Sequence, residues 1–165
     1  MPPKNRKNRK NAIHFSVDEG DPFVVTDHSF KVVIRGRPIV WKRVSWRYGG
    51  TYTPSKRLQD EFCTTVRSLF LKKGIPILDF GDAELEMSVQ FCLPPPVKSG
   101  KITNPPDVDN LLKFIFDSLQ GTFYSNDSAI TKVRELEKKF DCSFGGDGYT
   151  VLYLARRVID VDNTM

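Results

Sequence analysis

The segment PDVDNLLKFIFDSLQG, residues 106–121, decides the fold. Its apolar residues recur at helical spacing: Leu111, Leu112, Ile115, Phe116 and Leu119. The charged residues of the opposite face follow one another four positions apart: Asp109, Lys113 and Asp117. Pro106 before this run and Gly121 after it are typical of helix ends. The segment therefore predicts an amphipathic helix that begins near Asp107 and presents carboxylates and an ammonium outward.

Three carboxylates are expected to meet beside this helix. Asp107 and Asp109 stand at its first turn, and Asp127 follows a short turn that brings the chain back. Converging carboxylates repel one another unless a cation lies between them, and oxygen ligands suit Mg²⁺ or Mn²⁺ rather than zinc. The same residues also fit an ordinary surface helix, with acids favoured by the helix dipole and a Lys–Asp salt-bridge ladder. Spacing alone leaves both interpretations open.

The pattern PDxDNLxKxxxDxLxG, from Pro106 to Gly121, is followed by Asp127 at the opening of the next segment. This pattern resembles the signature of the RusA family of Holliday-junction resolvases, and the resemblance extends over residues 30–158. One departure is Asn126, which stands where the family commonly has the first of two consecutive aspartates. The second of that pair corresponds to Asp127, so the expected ligand is present.

The resemblance implies a set of site residues and an activity. The implied catalytic residues are Asp107, Asp109, Lys113 and Asp127, with Asp117 and Asn110 as supporting candidates. Of these, Asp107, Asp109 and Asp127 would bind Mg²⁺, for which Mn²⁺ can substitute. The implied enzyme is a metal-dependent, structure-selective endodeoxyribonuclease that resolves four-way DNA junctions by paired symmetric nicks, leaving 5′-phosphate and 3′-hydroxyl ends. It would act as a homodimer, because a two-fold symmetric pair of sites matches a four-way junction.

Two other functions remain open at this stage. One is a branched-DNA-binding protein without turnover, in which the carboxylates only cap the helix and form ion pairs. The other is a nuclease of the same fold that cuts flaps or other branched DNA. Acids placed near phosphates disfavour the first alternative, because a protein that only binds DNA gains nothing from such repulsion.

Positive charge is concentrated in two parts of the chain. The net charge is +5, and five basic residues lie between residues 4 and 10. Between Asp27 and Asp60 the chain has eight basic residues and no acidic one. Aromatic residues interleave with this acid-free segment, and such a mixture suits phosphates and unpaired bases, although the aromatics also fit a protein core. The predicted DNA-binding residues are Arg37, Lys42, Arg43, Arg47, Lys98 and Lys101.

Residues 1–28 are predicted to form a basic, disordered tail and connector, and residues 29–165 a single RusA-like endonuclease domain. No apolar run reaches the roughly 20 residues of a membrane span, and no secretory signal follows the basic start. Three widely spaced cysteines fit reduced thiols better than disulfides. We therefore expect a soluble intracellular protein with no membrane partner, cytoplasmic in a bacterium or phage. In a eukaryotic or viral setting the basic tail would suit nuclear import.

The remaining pattern predicts an α+β fold, a small mixed β-sheet with helices packed on one face. Strict alternation predicts strands at 30–35 and 85–93, and helical periodicity predicts a helix from Thr53-Pro54 to Gly74. Residues 39–52 suggest a hairpin or an ordered loop, and residues 94–101 a loop. Residues 130–141 fit either helix or strand. With residues 149–158 they are expected to form a hairpin that closes the sheet.

Overall fold

The structure is a computed structural model of the chain. It describes residues 13–42, 45–47, 50–52, 55–95, 97–98, 101–102, 105–140 and 147–158, the four shortest of these segments as backbone only. Residues 1–12 of the predicted tail and connector, Arg43, Thr53-Pro54 and Cys142 lie outside the described residues. Residues 13–28 are described and contact the domain, since Phe15 is buried and Ser16 pairs with Arg35. The side chains of Arg47, Lys98 and Lys101 lie outside them as well.

A five-stranded sheet forms the centre of the fold. In chain order, the elements of the described residues are β1 (Val24–Val25), β2 (Ser29–Arg35), β3 (Ser45–Arg47), β4 (Gly50–Tyr52), α1 (Lys56–Lys72), β5 (Leu85–Cys92), β6 (Val97–Lys98), β7 (Lys101–Ile102), α2 (Val108–Leu119), β8 (Ile130–Lys139) and β9 (Tyr149–Arg156). The central sheet has the strand order β1-β2-β9-β5-β8, in which β5 and β8 run parallel and the other neighbours antiparallel. The pairs β3–β4 and β6–β7 are separate two-stranded hairpins.

These elements confirm the α+β class, the mixed sheet and the helices at both predicted places. Of the two alternatives predicted for residues 39–52, a hairpin or an ordered loop, the structure shows a hairpin, β3–β4. The loop predicted at 94–101 overlaps the hairpin β6–β7. Residues 130–139 are a strand. No helix in the described part of the chain is long and apolar enough to cross a membrane.

The predicted hairpin between β8 and β9 is wrong, because β5 lies between them. The two strands differ in burial, and this difference explains their places in the sheet. Alternate residues of β9 are buried, namely Thr150, Leu152 and Leu154, which suits a strand with neighbours on both sides. In contrast, β8 is exposed from Thr131 to Glu137, which suits an edge.

One hydrophobic core lies between the sheet and the two helices. It joins alternate residues of the strands to one face of each helix: Phe30, Val32, Ile34, Leu85, Met87, Val89, Phe91, Leu152, Leu154, Phe62, Val66, Phe70, Leu111, Phe114, Ile115 and Leu119. The rings of Phe62 and Phe114 meet edge-on with centroids 6.0 Å apart, so they connect α1 to α2. Phe114, absent from the predicted apolar face, is 1% exposed. This packing fixes the rotation of α2 and turns its charged face outward.

Candidate active site

The first turn of α2 presents two exposed carboxylates. Asp107 is the N-cap residue with an extended backbone, φ −70° and ψ 137°, but its side chain makes no capping hydrogen bond. Oδ1 of Asp109 accepts the backbone N–H of Asn110 at 2.9 Å. An aspartate at an N-cap normally caps with its side chain. The Asp107 carboxylate therefore does not cap the helix, although its position at the N-cap would favour that role.

One turn further along α2, the ammonium of Lys113 lies between two carboxylates. Its Nζ donates to Oδ1 of Asp117 at 2.9 Å and to Oδ2 of Asp127 at 3.1 Å. The bond to Asp117 and the weaker effect of Asp127 raise the pKa of Lys113 above its ordinary value, against the opposing effect of partial burial. Lys113 is therefore held in place as a cation, with 41% of its side chain exposed.

A buried turn returns the chain from α2 to Asp127. Phe123 and Tyr124 are at most 1% exposed, and the Tyr124 hydroxyl donates to the carbonyl of Phe116 at 2.7 Å. Burial raises the pKa of the Tyr124 phenol far above its ordinary value, and the carboxylates of Asp127 and Asp117 raise it further. The backbone N–H of Asp127 donates to Oε1 of Gln120 at 3.1 Å. Both ends of the turn are thus fixed to α2.

The structure brings together Lys113, Asp117 and Asp127, but it leaves the predicted ligand set dispersed. Asp109 is not an ion-pair partner of Lys113 within the described residues. No group of three His, Cys, Asp or Glu side chains in the described part of the chain is close enough to hold a metal ion. Asp107, Asp109 and Asp127 as a joint ligand set therefore remain a prediction.

The residue types nevertheless fit a hard divalent cation. The donors offered are carboxylate oxygens, which Mg²⁺ and Mn²⁺ prefer. The Lys113 ammonium already occupies a cation position between two of the site's carboxylates, at 2.9 and 3.1 Å. In addition, the exposed Asp107 carboxylate makes no capping bond. Asp107, Asp109 and Asp127 are the residues that would hold the metal.

A basic groove adjoins the first turn of α2. The backbone N–H of Trp41 donates to the carbonyl of Asn110 at 2.9 Å and so attaches the acid-free segment to the helix. The groove encloses about 410 Å³, and we call it basic because Arg37 and Lys42 are the charged residues of its lining; the rest, including Pro106, is apolar apart from Ser55. Arg37 and Lys42 are both exposed. Two predicted DNA-binding residues thus lie beside the residue that immediately precedes Asp107.

A family model described as Endodeoxyribonuclease RusA matches residues 30–142, which include both helices and all the predicted catalytic residues. The chain belongs to the RusA family. This family comprises Holliday-junction endodeoxyribonucleases that bind branched DNA. No curated protein matches the chain significantly.

The other basic residues of the acid-free segment in this RusA family member have different surroundings. Arg35 binds Asp21 through two hydrogen bonds of 2.7 and 2.5 Å, which raise its pKa, and it lies over the ring of Tyr149. Lys56 pairs with Asp60 at 2.9 Å on the surface of α1. The basic residues of the acid-free segment therefore have several roles. Among the described side chains of this segment, Arg37 and Lys42 line the groove.

Three residues that support this RusA site were not found by sequence reasoning. Lys138 of β8 donates to the carbonyl of Pro106 at 2.8 Å and so holds the approach to α2 from the sheet. Gln120 and Tyr124 fix the turn before Asp127. Of these three residues, only Tyr124 could have been predicted from the sequence, because a tyrosine next to Phe123 in an otherwise polar turn is typical of a buried anchor. Gln120 and Lys138 act through contacts that no local pattern predicts.

Proposed function

We propose that this chain is a Mg²⁺-dependent, structure-selective endodeoxyribonuclease that resolves four-way DNA junctions by paired, symmetric nicks. The observation that carries this proposal is the Lys113 ammonium, bound to Asp117 and Asp127 one helical turn from Asp109. A fixed cation beside exposed carboxylates and a groove with two basic residues suits hydrolysis of a phosphodiester, in which negative charge increases on the phosphate oxygens.

The residues have separate roles in this mechanism. Asp107, Asp109 and Asp127 would hold the cation, and when bound it would supply charge neutralisation at the phosphate and a lowered pKa of water. Lys113 places a permanent positive charge at the scissile phosphate or at the departing 3′-oxygen, where negative charge increases in the transition state. Asp117 positions Lys113 through the 2.9 Å hydrogen bond. The nick leaves a 5′-phosphate and a 3′-hydroxyl.

The DNA backbone approaches through the basic groove. Arg37 and Lys42 neutralise phosphates next to Pro106, and Asn110 supports the groove through its carbonyl bond to Trp41. From the sequence we also assign phosphate contacts to Arg43, Arg47, Lys98 and Lys101. Two copies of the chain act as a homodimer, so that equivalent active sites nick opposed strands of one junction inside the cell.

The test uses a synthetic four-way junction, a flap and a linear duplex, each end-labelled and incubated with Mg²⁺, Mn²⁺ or EDTA. We expect cleavage of two opposed junction strands with either metal, no cleavage with EDTA, and products that DNA ligase seals without end treatment. Preferred cleavage of the flap would replace the proposal with a flap nuclease. Tight junction binding without cleavage in either metal would leave only a DNA-binding protein.

A further inference from the structure

The β8 strand is a long sheet edge that the described residues leave uncovered. It has ten residues and forms ladder hydrogen bonds with β5 on one side only. Residues 131–137 are all exposed, including Val133 at 38% and Leu136 at 39%. The opposite edge, β1, is only two residues long. An exposed strand of this length offers a row of backbone N–H and C=O groups to another strand.

The side chains of β8 face in directions set by its pairing with β5. Val133 and Leu136 pair with Met87 and Val89, whose buried side chains point toward the helices. Lys132 and Glu137 pair with Glu86 and Gln90 and so point toward the open face of the sheet. Arg134 is an extra residue, because Val133 pairs with Met87 while Glu135 already pairs with Ser88. Arg134 and Glu135 both line the open face.

This irregularity makes β8 complementary to itself. Two antiparallel copies related by a two-fold axis perpendicular to the sheet must place residues of the same face opposite each other. A regular strand cannot meet this condition about an axis between two successive residues, because those residues face opposite sides. The extra residue Arg134 removes the obstacle for an axis between Arg134 and Glu135, since both face the same side. The opposed pairs are then Lys132 with Glu137, Val133 with Leu136, and Arg134 with Glu135. Each pair occurs twice, which gives four pairs of opposite charge and two apolar pairs across the strands. Arg134 also binds Glu86 of its own copy at 3.1 Å, so the pair of Lys132 with Glu137 is the better one to test.

The neighbouring face-matched registers are unfavourable. An axis through Val133 would place Lys132 opposite Arg134, and an axis through Leu136 would place Glu135 opposite Glu137. Both registers bring like charges together, which destabilises paired strands. The charges of the opposed residues and the sides of the sheet that they face therefore favour the same register, the one centred between Arg134 and Glu135.

We infer that the homodimer forms by antiparallel pairing of β8 with β8 of a second copy, in this register, giving one continuous ten-stranded sheet. The inference rests on the homodimer of the proposed function and names its interface. Because the axis is perpendicular to the sheet, both α2 helices lie on the same side of it. Residues 130–139 of β8 pair with only eight residues of β5, from Leu85 to Cys92. The two Ile130 residues, which follow shortly after Asp127, would therefore be about 23 Å apart along the paired strands, the length of seven strand steps. Both active sites would then face a single junction.

The test exchanges the charges of Lys132 and Glu137. These residues lie five positions apart on the same strand, so they can pair only between two copies. Lys132→Glu and Glu137→Lys each turn two attractive pairs into two repulsive ones, so we expect the Kd of dimerisation to rise about 10-fold or more in each variant. Mixing the two variants in equal amounts should restore dimers, because every pair in the heterodimer is again of opposite charge. The double variant Lys132→Glu/Glu137→Lys should also form dimers. Sedimentation velocity at several concentrations measures all four samples against wild type.

Matched controls change the same charges elsewhere. Lys72→Glu and Glu19→Lys alter exposed residues outside β8 and should leave dimerisation unchanged. The register is checked with cysteines: a mixture of Val133→Cys and Leu136→Cys should form a disulfide between different chains, since directly opposed strand residues lie within disulfide distance. Either cysteine variant alone should not, and a Val133→Cys homodimer disulfide would overturn the register.

Failure of the interface and failure of the proposed function give different results. A wild-type protein that stays monomeric at every concentration overturns the interface. Single variants that dimerise like wild type, and still cut junctions in opposed strands, also overturn the interface while the nuclease function stands. Restored dimers in the mixture, with no junction cleavage by wild type in Mg²⁺ or Mn²⁺, support the interface and contradict the nuclease.

Discussion

The ammonium of Lys113 lies 3.1 Å from Oδ2 of Asp127, which is fourteen positions further along the chain and opens the segment leading into β8. The contact from Lys113 to Asp117 follows from helix geometry alone, because residues four apart are neighbours on a helix. The contact to Asp127 depends instead on the buried turn that Tyr124 holds against α2. Lys113 thus connects the acidic face of the helix to the sheet edge.

Lys113 should matter for catalysis more than for stability. Its two ion pairs are partly exposed, so Lys113→Ala should lower the free energy of unfolding by at most about 1 kcal/mol. Single-turnover junction cleavage should fall by about 10²-fold or more, because a preorganised charge is lost from the transition state. Lys113→Arg should also be severely slowed, since a planar guanidinium replaces a compact ammonium. Near-normal cleavage by the arginine variant would favour a simple salt bridge.

The control for Lys113 is Lys56→Ala. Lys56 pairs with Asp60 at 2.9 Å with the same spacing of four residues, but on the surface of α1. It should change stability by a similar or smaller amount and leave cleavage unchanged. Equal losses of cleavage in the two variants would mean that the effect of Lys113→Ala is not local to the site.

Asp109 should act through its negative charge. Asp109→Asn keeps an oxygen that can accept the Asn110 N–H, so stability and junction binding should persist. Cleavage in Mg²⁺ should nearly disappear, and junction affinity can rise as repulsion of phosphates falls. Asp79→Asn is the control, because Asp79 is exposed and accepts the Gly81 N–H at the same 2.9 Å. Cleavage by Asp109→Asn within a few-fold of wild type would exclude a ligand role.

Alkaline pH should remove the contribution of Lys113 to stability. Asp117 and Asp127 raise its pKa above the ordinary value of 10.5, so the folded chain holds this proton more tightly than the unfolded chain. The contribution is fully present below the unfolded pKa and is lost as pH rises through the folded pKa. The difference in unfolding free energy between wild type and Lys113→Met should therefore stay constant from about pH 7 to 10 and decrease above about pH 10.5. A decrease already complete by about pH 9, measured by urea denaturation, would contradict the assigned contacts.

Arg37 and Lys42 should contribute phosphate contacts. The double variant Arg37→Ala/Lys42→Ala should bind the junction more weakly, and the slope of log K against log salt should become shallower by about 2. Lys31→Ala is the control, since Lys31 is exposed on the open face of the sheet, away from the groove. Fluorescence anisotropy at several salt concentrations gives both slopes. An equal change for Lys31→Ala would place the DNA elsewhere.

Gly148 should tolerate no side chain. Its φ is +108°, and a Cβ there would collide with the carbonyl oxygen of Cys92. Gly148→Ala should therefore lower the free energy of unfolding by about 3 kcal/mol. Gly81→Ala, at φ +57° with no atom within 4 Å of the added Cβ, should cost only about 1 kcal/mol. Thermal and urea denaturation distinguish the two variants, and equal losses would contradict the collision.

Local patterns in the sequence were enough for the elements that depend on near neighbours. The alternation from Leu85 onward predicted β5, and the spacing of Leu111, Ile115 and Leu119 predicted the buried face of α2. The same spacing placed Lys113 next to Asp117. These relationships follow from the fixed periods of strand and helix, so a single stretch of sequence contains them.

Only the tertiary structure decided how distant segments meet. Residues 130–139 fit a helix or a strand until β5 supplied a parallel partner, and the placement of β5 between β8 and β9 replaced the expected hairpin. The contact of Trp41 with Asn110 and the pairing of Lys113 with Asp127 likewise join segments through packing. By itself, the sequence determined the family pattern, the amphipathic helix and the candidate catalytic residues. Strand order and the surroundings of each charge depended on which buried faces pack together, a choice made by the whole core and not by any local period.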